Sequence, residues 1–172
     1  YTNGVQKYYR ANHMFVGFPM RYIDRYEDAK NYPLLPNWKH RELAIQYQSP
    51  RTGTAITDGA IMTSRDGVHF NRWDEAFITA GIERGTNWYY GDGMLCYGMA
   101  ETASDIPGAP NEISMYMHVD YRAKPVTLRR YGIRLDGFFS WRCDFKPGKV
   151  VTKPICFQGD RLYMNFSTSA FG

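Results

Sequence analysis

By type and spacing, a few acidic side chains and one aromatic run carry what chemistry this chain offers. Glu101 closes the run 94–100 (MLCYGMA), in which Leu95, Tyr97 and Met99 alternate with Cys96 and Gly98. It therefore stands where a strand yields to a loop. A carboxylate placed there can accept hydrogen bonds from hydroxyl groups, tune a neighbouring acid or act as a general acid or base. It can equally be a solvated glutamate at a loop entry. Trp88, Tyr89 and Tyr90 precede Gly91-Asp92-Gly93, and their flat faces suit stacking against the apolar face of a sugar ring as well as ordinary core packing. Asp66 and Asp136 each precede a glycine. An aspartate in that position bonds to its own backbone, so both read as turn formers rather than as acids. Glu75 and Glu83 lie in a stretch without a clean period.

Other chemistries lack the residues they need. His13, His69 and His118 have no paired spacing, and Cys96, Cys143 and Cys156 have no metal-ligand spacing, so neither a metal nor a cofactor is expected. The cysteines read as buried thiols, with a Cys143–Cys156 bridge left open. No glycine-rich phosphate loop precedes a helix, and no serine, histidine and acid can be grouped, which sets aside nucleotide binding and acyl transfer. The formal charge is +4 and the bases are scattered, apart from 39–41 (KHR) and Arg129-Arg130. Nucleic acid is therefore not an expected partner. No apolar run approaches the roughly 20 residues a membrane helix needs.

The elements that must position these residues read as strands. Residues 60–64 and 68–73 flank Asp66-Gly67 as a hairpin whose glycine supplies a positive φ. Residues 13–22 form an earlier strand, with Pro19 demoting its second half to an edge or bulge. Residues 24–41, broken by Pro33 and Pro36, read as a loop with at most a helical turn over 25–30. Residues 42–48 (ELAIQYQ) read as a further strand, and 49–53 as a turn. Residues 94–100 and 113–119 make a second hairpin around a long loop, with Ile113, Met115, Met117 and Val119 on one face and Ser114, Tyr116 and His118 on the other. Residues 127–135 and 138–142 flank Asp136-Gly137 as a third, and 150–157 and 161–167 make a fourth. Four hairpins without a crossover helix predict an all-β chain of propeller or sandwich type.

Two stretches are similar to a known family. TSRDGVHFNRW (63–73) resembles a strand-turn-strand of the five-bladed β-propeller glycoside hydrolases related to families 32 and 43, and is close to the Asp-box turn of sialidases. RRYGIRLDGFFSW (129–141), followed by TKPICFQGDRLYMNFSTSAFG (152–172), resembles the passage from their last blade into a C-terminal β-sandwich. The resemblance implies a partial propeller over residues 1–135, its last blades, with 13–73 most of a penultimate blade and 88–135 the final one. Residues 136–172 would open a truncated sandwich. Blades of about 40 to 50 residues make a five-bladed ring longer than this chain, and an opening at Tyr1 with no initiating Met reads as part of a larger protein. The implied activity is hydrolysis of glycosidic bonds by paired carboxylates supplied mostly by earlier blades, with the remaining blades as partners, carbohydrate as ligand and a secreted or periplasmic setting. The alternative is a propeller or sandwich module that binds glycans without cleaving them. On this reading Glu101 is the candidate catalytic carboxylate at the funnel rim, and Trp88, Tyr90 and Glu101 are candidate substrate-binding residues.

Overall fold

Alternation of apolar and polar side chains resolves into three antiparallel sheets in the computed structural model, which describes residues 2–25, 31–88, 90–121 and 126–169. The first sheet has the order β1-β2-β5-β6, from β1 (Gln6–Tyr8), β2 (Ala11–Gly17), β5 (Met62–Ser64) and β6 (Asn71–Arg72). A two-stranded ribbon pairs β3 (Met20–Ile23) with β4 (Ile56–Gly59). The third sheet has the order β7-β8-β9, from β7 (Ala100–Thr102), β8 (Glu112–Val119) and β9 (Thr127–Arg134). The described chain is thus mostly strands in antiparallel sheets with few helices.

Two compact units divide the chain, Tyr1–Phe138 and Phe139–Gly172. The core of the first joins the two larger sheets: Tyr8, Val16, Phe18 and Ile61 pack with Leu95, Ile113, Met115, Met117 and Val119. On β8 the inward set is buried, as a period of two requires, while on the other face Tyr116 is exposed and His118 half-buried, but Ser114 is buried, bonded to Thr102 and Arg130. Pro19 does more than weaken a strand. β2 ends before Phe18 and β3 begins after Pro19 in a different sheet, because a residue without an N–H cannot continue the β2 ladder.

The segment between the ribbon strands differs from the expected loop and strand. α1 (Trp38–Tyr47) starts just after Pro36, where a proline no longer obstructs it, and α2 (Pro50–Thr54) takes Pro50 into its first turn, the position that lacks an intrahelical partner anyway. Arg, Glu, Leu, Ala and Gln are good helix formers, which outweighs the loose alternation of 42–48. The helical turn expected over 25–30 falls largely outside the described residues.

The first hairpin forms, but around a six-residue loop. β5 and β6 pair Met62 with Arg72 and Thr63 with Asn71, which leaves 65–70 to Asp66. The second hairpin forms only in part: β7 begins at Ala100, so of the strand expected over 94–100 only that residue and an isolated Leu95–Met117 bridge pair with β8, and Glu101, opposite Ile113, sits in the middle of β7 rather than at a strand's end. The third and fourth do not. β9 pairs back onto β8 along its whole length, and no regular strand appears among the described residues 139–169, all of them exposed. Strands draw stability from a layer to pack against, and this unit has none of its own. Cys143 and Cys156 are free and exposed, and Cys96 is half-buried, so two of the three are not the buried thiols expected.

Candidate functional site

At one end of the first unit, the β1–β2 turn meets the start of β7 and the turn after β9. β1 and β2 lose register at Lys7 and Tyr8, and a bulge of this kind re-aims side chains. Tyr8, Tyr9 and Arg10 then reach two carboxylates far along the chain. Tyr9 donates its hydroxyl proton to Glu101 Oε2 at 2.9 Å, and Asn111 Nδ2 donates to Oε1 at 2.9 Å. Tyr8 donates to Asp136 Oδ1, and Arg10 clamps the same carboxylate through Nε (3.1 Å to Oδ1) and Nη2 (3.2 Å to Oδ2).

These partners set the charges. The hydrogen bonds from Asn111 and Tyr9 hold the Glu101 carboxyl below its usual range, and the charge of Arg10 adds to the effect. Arg10 does the same for Asp136, against some desolvation and with help from Tyr8. Burial, and then the bond to Asp136, pushes the Tyr8 phenol up; burial and Glu101 do so for Tyr9. Both acids are therefore carboxylates at neutral pH, and both phenols are donors. Glu101 is exposed, with one bond to each oxygen. A carboxylate has about four lone-pair sites, so it retains capacity to accept from a ligand. Tyr9, 43% exposed, sets an aromatic ring beside it.

Asp66 and Asp136, both expected to serve their own turns, divide. Asp66 Oδ1 accepts from the backbone N–H groups of Val68 (2.9 Å) and His69 (2.8 Å), and Oδ2 meets His69 Nδ1 at 2.7 Å. That is the turn role, with Gly67 at φ +75° as expected. At the second turn the expectation fails: Asp136 itself has the positive φ, 59°, while Gly137 does not, and its carboxylate serves Tyr8 and Arg10 rather than its own turn.

Trp88 and Tyr90 are held by other elements than those around Glu101; Tyr89 lies outside the described residues. Trp88 has φ 65°, donates its backbone N–H to Asp92 at 2.7 Å and its indole N–H to the Gly81 carbonyl at 2.7 Å. Its own carbonyl accepts from the buried Arg41 at 3.0 Å, and Arg41 also binds the Pro36 and Gly53 carbonyls. Tyr90 meets Tyr22 edge to face, with ring centroids 6.0 Å apart, and lies under the Arg51 guanidinium at 5.2 Å. Trp88 thus fastens its loop to α1, and Tyr90 packs on β3 and α2. Glu83 lies 3.9 Å from Arg41, and Glu75 is exposed.

Tyr9, Arg10 and Asn111 were not legible as site residues. For the first two the only sequence signal is the Tyr-Tyr-Arg at 8–10, and Asn111 has none. Among the described residues no group of three or more His, Cys, Asp or Glu could hold a metal ion, and no helix is long and apolar enough to cross a membrane. Comparison of the chain with protein-family models, curated proteins and solved structures found no match.

Proposed function

We propose that this chain is the carbohydrate-recognising part of a protein of the propeller glycoside hydrolase type, and that Glu101 binds sugar hydroxyls rather than breaking glycosidic bonds. The observation that carries this reading is an exposed, ionised carboxylate fixed by Tyr9 and Asn111, next to the exposed Tyr9 ring. A fixed acceptor beside an aromatic face matches a sugar, which presents hydroxyls at its rim and C–H groups on its face. Residues 1–135 belong, on this reading, to propeller blades, 136–172 to the opening of a sandwich, and the catalytic carboxylates to other blades of the parent. Two antiparallel sheets sharing one core support it without being specific to a propeller.

Calorimetric titration of the purified chain with xylo-, arabino- and fructo-oligosaccharides tests the proposal. One of the three should bind, and Glu101→Gln and Tyr9→Ala should each weaken it by about tenfold, the loss of one hydrogen bond or stacking contact. Nitrophenyl glycosides of the same sugars should remain uncleaved. Absence of binding to all three, or variants that bind as tightly as wild type, would remove Glu101 from any sugar site, and turnover by the pure chain would refute the division between binding and cleavage.

A further inference from the structure

The bridge between Leu95 and Met117 fixes which side chains share a face next to it. Leu95 and Met117 point into the core. Cys96 donates its backbone N–H to the Tyr116 carbonyl at 2.8 Å. Alternation then turns Cys96 and His118 to the opposite side together. Cys96 Sγ lies 4.0 Å from His118 Nδ1, within reach of a hydrogen bond to sulfur, and both side chains are half-buried. They line one cleft of about 450 Å³, along with Val5, Met94, Leu95 and Tyr97. The His118 ring also meets Tyr121 edge to face at 6.4 Å, which restrains its rotation.

A thiol beside an imidazole, at the wall of an apolar cleft, has the two parts that nucleophilic chemistry needs, an attacking atom and a base in contact with it. We propose that Cys96 and His118 make this cleft a covalent modification site for a soft carbon electrophile, an α,β-unsaturated carbonyl compound with an apolar body. In the tautomer that carries its proton on Nε2, His118 Nδ1 takes the thiol proton as the sulfur bonds to the β-carbon. The resulting enolate then recovers that proton from the imidazolium at its α-carbon. One S–C bond forms, the C=C bond becomes single, nothing leaves and no redox partner is needed. Val5, Met94 and Tyr97 supply the apolar wall for the rest of the molecule.

The chain carries its own controls, since Cys143 and Cys156 are exposed and the segment that holds them, 139–172, contains no histidine. Exposure alone would make those two react first. With N-phenylmaleimide below one equivalent at neutral pH, site-resolved mass spectrometry should find the adduct mainly on Cys96. His118→Gln should slow labelling at Cys96 by about tenfold, the loss of its base, and leave the other two rates unchanged. A charged maleimide should lose the preference for Cys96. Labelling of Cys143 and Cys156 ahead of Cys96 in the wild-type chain would overturn the proposal without recourse to any variant. Equal Cys96 rates with and without His118 would overturn the pairing, and equal preference for both maleimides would overturn the apolar-body assignment.

Discussion

Two Asp-Gly turns, identical as dipeptides, are built in opposite ways. At Asp66-Gly67 the glycine carries the left-handed conformation and the aspartate serves neighbours within three residues. At Asp136-Gly137 the aspartate carries that conformation, and its carboxylate holds Tyr8 and Arg10, more than a hundred residues earlier in the chain. The first turn is a local solution. The second is a tether between the β1–β2 turn and the end of β9, so its removal should be felt by the whole sheet pair.

The largest expected effect tests that tether. Asp136→Ala leaves the Tyr8 hydroxyl and the Arg10 guanidinium unpaired and puts an alanine at φ 59°. With a discount for a side chain 56% exposed, the loss should be about 2 to 3 kcal/mol in urea melts. Asp66→Ala should lose clearly less, and a greater loss there would invert the comparison. Next, Gly67→Ala should cost about 1 kcal/mol for placing a Cβ at positive φ, and Gly67→Asn should recover most of it. At Gly137 the obstacle is space, because a Cβ would lie 2.8 Å from Arg134 Cγ and 2.9 Å from the Arg134 carbonyl oxygen. Asn should therefore rescue nothing there, and a rescue would return the two turns to one type.

A double-mutant cycle sharpens the contrast further. Tyr8→Phe and Asp136→Asn should couple by about 1 kcal/mol, whereas Tyr8→Phe and Asp66→Asn should add independently. The smallest effect concerns acid. The bonds from His69, Val68 and Ser64 lower the folded-state pKa of Asp66. A lowered carboxyl pKa contributes stability that is fully present above the unfolded value, about 3.9, and is lost as pH falls through the folded one. Wild type and Asp66→Asn should thus differ in melting temperature at pH 5 and converge as the pH falls well below 3.9. A constant gap across that range would assign the effect to shape rather than charge.

The periods legible in the sequence were those that packing enforces. Ile113, Met115, Met117 and Val119 could be placed on one face because both sides of β8 are constrained, by the core and by two flanking strands. α1 was not legible, since it buries only Arg41 and Ala44, and two positions make no stripe. Residues 150–167 alternate like strands, yet alternation records a capacity to pack, and this unit supplies no second layer. Glu101 stood out because the run 94–100 before it alternates, although it sits inside β7 rather than at a strand's end. Tyr8, Arg10 and Asp136 did not, as their meeting depends on how two sheets stack and no local spacing encodes it.

Phe18 and Pro19, where the chain passes from one sheet to another, also set an order of assembly. Gly17 must pair with Met62, and the entropy of closing a loop grows with its length. The β3–β4 ribbon pairs Met20 with Gly59 through to Ile23 with Ile56. Once it has zipped, only Phe18 and Pro19 on one side and Ala60 and Ile61 on the other separate Gly17 from Met62, and the Ala60 N–H already reaches the Pro19 carbonyl at 2.8 Å. The ribbon thus converts a distant pairing into a neighbouring one. Substitutions that weaken β3 or β4 should slow refolding, while those in the two-residue β6 at the sheet edge should mainly hasten unfolding.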